Sequence, residues 1–574
     1  MKKISIISKS GLSTLWVLCL LYQHAQAQSP NAYTGMWEGT FMEQFTTVIL
    51  LDKTEAGSYS GKILMYSGEK RIQDDELSQI IIESQTLTFC IAAKETTFEG
   101  VFNESTSELS GDFIFPDNSK HPLTVRKHDR DSAAVESKVS SPEERKKLYF
   151  PVEELKSDVK DLVEKLKKYH PRLYSYTSEA SFEKQTEVIL GQLEKELSLE
   201  QFYLRIAPLI ASVKCSHTGI RLPGPYQRYL HEEAFFFPLQ LFIDDMKAYC
   251  LELYGEANAS LAPEPGSEII SINNVPVKQI IGELLSIIPS EGKNTTRKYQ
   301  ELNRDFQGYF HMLDASERFL IEYNAIGSRK TVQVESCTYD ELQPRDLPAG
   351  ELKPYDFHME VDPEYGVLKV ASFGIGKMEE YFSFLDSIFI LLNTAGTPTL
   401  VMDLRDNMGG HPIFAAQLFS YLSEKEFTYF RRNPDIAEFE PLYHPMQANQ
   451  NHYRGKIYVL VNGGCLSSTG HLISLVRYHT EALFIGEEPG SSFRCNDFSI
   501  QQQLPHTGIE LNIPRTTFRT AVKGVAEKEP FQLDYQVTFL LEDLLQGRDT
   551  YIFLVEDLIR KSISGQSQAI SPPG

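Results

Sequence analysis

Four apolar runs between residues 367 and 485 leave little freedom in what this part of the chain can fold into. Val367-Leu-Lys-Val-Ala-Ser-Phe373, Thr399-Leu-Val-Met-Asp-Leu404, Lys456-Ile-Tyr-Val-Leu-Val461 and Ala482-Leu-Phe-Ile485 are each long enough for one buried strand. Helical stretches separate them. A chain that alternates buried strands with helices builds an α/β core with mostly parallel pairing. In such a core, function gathers at the carboxyl ends of the strands.

The text upstream changes style several times. From Trp37 to about Lys127, short β-rich runs alternate with turn residues at close spacing, which predicts a small antiparallel barrel or sandwich of about seven strands over 30–128. Residues 129–148 are rich in Ser, Ala and charge, without periodicity, and read as a linker. Helical spacing then takes over. Leu155, Val159, Leu162, Leu166 and Tyr169 recur at three- and four-residue steps until His170-Pro171 stops them; further stretches cover Phe182–Leu197 and Glu200–Val213. These predict a small helical domain over 149–232. The strand, turn, strand phrase from Pro265 to Val277, with a helix at Ile280–Ile288, resembles a PDZ-like domain over 233–350. The α/β core is expected over 355–563, with a tail at 564–574.

The first residues bear on compartment. Lys2-Lys3, the apolar run Leu15–Leu21 and Ala25-Gln-Ala27 read as a secretory signal peptide cut after Ala27, which predicts a periplasmic or secreted chain. No later run reaches the roughly 18 apolar residues of a membrane-spanning helix. A net charge of −22, with no long Lys/Arg run, disfavours nucleic acid as a partner. Past the leader stand Cys90, Cys215, Cys250, Cys337, Cys465 and Cys495. Their wide spacing, without CxxC, indicates neither a zinc site nor a disulfide scaffold.

Three segments carry residues fit for chemistry. One strand exits into Asp403-Leu-Arg-Asp-Asn-Met-Gly-Gly410, whose glycines permit positive φ and close approach of a ligand to backbone amides. Another exits into Asn462-Gly-Gly-Cys-Leu-Ser-Ser-Thr-Gly-His471 and a helix, whose N-terminus favours developing negative charge. Ser467, Ser468 and Thr469 either cap that helix or supply a nucleophile. Cys215-Ser-His-Thr-Gly219 ends the helical region, and its histidine is either structural or a general base. His471, four residues after Ser467, is a second candidate base. Asp403 and Arg405 read as a strand-end ion pair that fixes the glycine loop. Asn294-Thr-Thr296 fits the glycosylation pattern.

Together these segments resemble peptidase family S41, the tail-specific or C-terminal processing proteases, and especially its tricorn-like branch. Asp403–Gly410 looks like "D-L-R-x-N-x-G-G", and Gly464–His471 like the nucleophile segment. Phe484-Ile-Gly-Glu-Glu-Pro-Gly490 looks like "I-G-E-x-T-x-G", and Asp534-Tyr-Gln-Val537 with Gly547-Arg-Asp549 looks like the closing phrase. The resemblance runs from Val152 to Ile563. It implies a multidomain α+β protein with a ClpP/crotonase-like α/β catalytic core, needing no metal or organic cofactor. It further implies a serine endopeptidase acting on extended or unstructured polypeptides through an acyl-enzyme. Ser467 matches the nucleophile, His217 the base, and Ser216 and Glu527 the assisting pair, with Glu529 a rival for the last. Gly409 and Ser468 match the oxyanion hole. The branch that uses a lysine base is not expected, because Glu487–Phe498 contains no lysine. Pro489, Ser491 and Ser492 stand where glycines are expected, and on that account a second reading is a catalytically inactive envelope protein binding peptides or small apolar ligands.

Overall fold

The computed structural model describes residues 33–564 apart from 42–44, 54–57, 68–69, 84, 92–95, 104–107, 116–118, 128–148, 256–261, 326–327, 343–352, 375, 432–436 and 524–529. The leader, the linker, the C-terminal tail, Glu527 and Glu529 lie outside the described residues. The chain divides into two compact units, 1–147 and 148–574.

The first unit holds a closed eight-stranded antiparallel barrel, in which Gly35–Phe41 pairs with both Phe45–Lys53 and Lys120–Lys127. One strand is much longer than the short runs expected, Lys70–Glu83, and it bulges between Ser78 and Ile81 where Gln79 takes φ +50°. Alternation sets the inner face: Phe98 and Phe102 on one strand, Phe89 and Ile91 on another. Trp37, Phe89, Phe98 and Phe113 are essentially inaccessible, and Phe98 lies 5.0 Å from Phe89 and 5.2 Å from Phe113, ring to ring. Eight strands enclose an interior about wide enough for side chains, and here aromatic rings fill it.

In the second unit, three helices, Val152–Tyr169, Glu179–Gln192 and Leu199–Ser212, precede an antiparallel sheet of Leu239–Asp244, Lys247–Leu253, Glu268–Ile272, Arg318–Ala325 and Ser328–Glu335. The second helix ends earlier than its pattern predicts, and Leu197–Ser198 is extended, pairing with Tyr149–Phe150. The reason is local: Ser198 caps the next helix through a reciprocal box with Gln201, which needs a non-helical backbone there. The helices and the sheet share one buried cluster, which Leu504, Ile509, Leu511 and Ile513 also join.

The α/β core is a six-stranded sheet ordered Tyr355–Val361, Glu364–Val370, Thr399–Asp403, Lys456–Val461, Leu483–Gly486, Tyr535–Gln536. Only the first pair is antiparallel. Both faces are covered. Leu400, Met402, Val459 and Val461 enter one core, while Val401, Tyr458, Leu460 and Ile485 enter another under the helix Thr550–Ile563. Burial on both sides is why these strands read as unbroken apolar runs. No described helix is long and apolar enough to cross a membrane.

Candidate active site

Two neighbouring parallel strands, Thr399–Asp403 and Lys456–Val461, release their glycine-rich exits side by side, and the exits latch together. Asn462 Oδ1 accepts from the Asp406 and Gly464 amides at 3.0 Å each, and its Nδ2 donates to Asp406 Oδ1. The Leu466 amide donates to the Asn407 carbonyl at 3.1 Å. Behind them, Arg405 forks onto Asp403 (2.7 Å) and Asp549 (2.7 Å) with its guanidinium 4.8 Å from the Tyr551 ring. This is the strand-end ion pair expected from sequence, extended by an acid from the closing phrase.

Ser467 sits between strand and helix with φ +52° and ψ −123°, a conformation that costs a non-glycine residue on the order of 1–3 kcal/mol. It occupies the N-cap position of Ser468–His479 yet makes no capping bond. Its hydroxyl instead donates to Asp497 Oδ2 at 3.3 Å. The same oxygen faces His217 Nε2 at 3.5 Å. Ser467 and His217 therefore converge on one carboxylate oxygen, and among the described residues no hydrogen bond joins them directly. Two antiparallel pairings bring this about. Gly219–Arg221 runs along Glu510–Asn512 and carries His217, whose carbonyl accepts from Asn512 Nδ2 at 2.5 Å. Arg494–Asp497 runs along Thr516–Arg519 and ends on Asp497.

The remaining expected residues fall as follows. Ser216 Oγ is buried next to His217 with no partner among the described residues. Gly409 takes φ +98°, and a Cβ there would stand 2.7 Å from the Ser467 Cβ, so the glycine is what lets the loop touch the serine. Its amide, expected to face an oxyanion, donates to Asn407 Oδ1 at 2.9 Å. Ser468 binds the Gly410 carbonyl through its hydroxyl, and its backbone amide lies in the first turn of the helix, where no intrahelical acceptor exists.

Charge behind the histidine is arranged in pairs. Glu291 and Arg494 meet at 3.3 Å, with Tyr176 2.7 Å from the same guanidinium nitrogen. Burial pushes the Glu291 carboxyl above its usual range, while Arg494, His217 and Tyr176 pull the other way. Asn294, in the glycosylation-like triplet, is 5% exposed and donates to the Pro489 carbonyl at 3.1 Å; it ties the loop after Gly486 rather than offering an acceptor. The six cysteines past the leader are free thiols.

His471 is excluded as a base by its surroundings. Its ring is caged by Phe430 at 4.9 Å and by Tyr429 and Phe518, and neither nitrogen has a hydrogen-bond partner among the described residues. Burial, with His217 adding to it, holds its pKa down to about 3. Below an unfolded-state value near 6.5, only the unfolded chain takes this proton, so stability present above that pH is lost as pH falls toward about 3. The slope is at most about 1.4 kcal/mol per pH unit. Urea midpoints at pH 7 and pH 5 should therefore separate less in His471→Phe than in wild type. An equal separation would assign the acid sensitivity to other groups.

Sequence reasoning missed Asp497, Asn407 and Asn462. The asparagines lie inside the quoted motifs and were legible as loop-bracing side chains; Asp497 carries no local signal.

The site therefore sits on a mostly parallel sheet covered on both faces, with a strained serine at a strand exit, which defines the class as an α/β domain. Residues 364–534 match the model of peptidase family S41, and the chain carries a domain of that family. No curated protein matches it by sequence. Among solved structures it is similar to mature CPAF at 13% identity, covering 73% of this chain and 99% of that one, with a TM-score of 0.54. At that identity the likeness is one of fold. The photosystem II D1 C-terminal processing protease overlaps at 14% identity over 68% of this chain and 96% of its own, TM-score 0.35. The tricorn protease overlaps at 12% over 92% and 47%, TM-score 0.34.

Proposed function

We propose that the chain is a secreted or periplasmic serine endopeptidase of the tricorn-like kind, cleaving extended or unstructured polypeptides. Ser467 Oγ attacks the peptide carbonyl to form an acyl-enzyme; His217 takes its proton and returns it to the leaving amine. The observation that carries this reading is that Ser467 holds a strained backbone, declines to cap its own helix, and aims its hydroxyl at the oxygen that His217 faces. A serine serving only as a cap would bond a backbone amide of the first turn.

For transfer to His217, the Ser467 proton must leave Asp497. Catalytic hydrogen bonds often tighten only when substrate is bound, and an imidazole has a basicity closer to neutral pH than a carboxylate. Asp497 then stabilises the imidazolium that forms. Ser216 and an acid from the 524–529 segment, Glu527 or Glu529, complete the support of the histidine. The Ser468 and Gly409 amides cradle the oxyanion, which requires the Gly409 amide to be shared with or released from Asn407.

The test is labelling of the purified mature chain with a serine-reactive fluorophosphonate, mapped by peptide mass, in wild type and His217→Ala. Modification at Ser467 that vanishes with His217 is expected, and the same map should begin at Gln28. A folded sample that takes no label at Ser467 would favour the non-catalytic reading.

A further inference from the structure

A ring nitrogen of His217, Cys495 Sγ and an Asp497 carboxylate oxygen all lie within 4.8 Å of one another. Cys495 and Asp497 are two residues apart on one strand, so their side chains leave the same face. The histidine arrives from the loop between Ser212 and Gly219, far away in sequence. That separation is why no cysteine spacing announces the site.

A tetrahedral zinc ion with bonds of about 2.0–2.3 Å sets its ligand atoms about 3.3–3.8 Å apart. His217 Nε2 and Asp497 Oδ2 stand 3.5 Å apart, long for a hydrogen bond and the length of such an edge. Ser467 Oγ lies 3.3 Å from the same oxygen. The set mixes imidazole, thiolate and carboxylate, which suits zinc among the common divalent ions and does not suit calcium or magnesium, which take oxygen.

We propose that His217, Cys495 and Asp497 form an inhibitory site for a zinc-class divalent cation, which binds across the catalytic pair and withdraws the base from Ser467. Binding displaces the Cys495 thiol proton to solvent and occupies the Nε2 lone pair, leaving His217 nothing with which to accept the serine proton. The word inhibitory rests on the peptidase reading; the site itself does not.

The experiment adds Co²⁺, as a spectroscopic substitute for Zn²⁺, to the mature full-length chain kept reduced with a phosphine. One equivalent should produce a thiolate-to-cobalt charge-transfer band in the near ultraviolet, bleached by Zn²⁺. Cys495→Ala should abolish the band. Because Cys495 is fully buried and that variant can fail to fold, Asp497→Asn provides a second arm: it keeps the thiol and should weaken Co²⁺ binding at least tenfold. Zn²⁺ should stop peptide hydrolysis and a chelator restore it. A folded wild type with no thiolate band, or a band that survives in folded Cys495→Ala, overturns the site. A chain that hydrolyses peptides while showing no such band loses the metal proposal and keeps the peptidase; one that shows the Cys495-dependent band but hydrolyses nothing keeps the site and loses the peptidase.

Discussion

Ser467→Ala is expected to lower kcat/KM on an unfolded polypeptide by at least about 10³-fold, and His217→Ala by a similar factor. The double variant should be little worse than either single one, since the two side chains act in one proton transfer and effects within such a unit do not add. The thermal midpoint of Ser467→Ala should stay close to wild type: alanine keeps the Cβ that packs beside Gly409, and only a hydrogen bond to a carboxylate 36% exposed is lost. Full hydrolysis by a folded Ser467→Ala would place the nucleophile elsewhere. Losses that multiply in the double variant would separate the roles of the two residues.

The second large effect is on stability. Gly410 takes φ +138°, and a Cβ there would meet the Phe373 carbonyl carbon at 2.3 Å and the Gly374 nitrogen at 2.4 Å. Those are backbone atoms, held by the bridge in which Phe373 donates to the Gly409 carbonyl and accepts from the His411 amide. They cannot rotate away. Gly410→Ala is therefore expected to destabilise the second unit by about 3 kcal/mol or more and to reduce hydrolysis with it, because the Gly410 carbonyl also anchors Ser468. Gly396→Ala is the control: it shares a left-handed φ of +68° but meets nothing within 4 Å, so only the backbone penalty of about 1 kcal/mol remains. Urea unfolding of the two variants would measure the difference. Equal losses would mean that the loop yields and that contact with Phe373 does not hold the Gly409-Gly410 segment.

Much of this was legible before any coordinate. Unbroken apolar runs announced strands buried on both faces, and the two glycine-rich exits announced where chemistry would gather. The choice of Ser467 and His217 rests on the resemblance to peptidase family S41, since their segments alone also fit a helix cap and a structural histidine. The barrel was legible as closely spaced strands, though its closure and eighth strand were not, because pairing of the first strand with the last leaves no trace in local periodicity. The second helix was overrun for the opposite reason: apolar spacing continued past Gln192, and the capping of the following helix by Ser198 overrode it.

The sequence by itself determined most of the elements, the mostly parallel core and the match of that core to family S41, since these depend on side-chain periodicity and on residues close together in the chain. Only the tertiary structure decided what stands between the serine and the histidine. Asp497 reaches them because Arg494–Asp497 pairs with Thr516–Arg519 while Gly219–Arg221 pairs with Glu510–Asn512, and the register of such distant pairings is set by burial of whole faces. The same holds for His471, four residues from Ser467 and from sequence a second candidate base. An aromatic cage assembled from two other segments made it a neutral core residue instead.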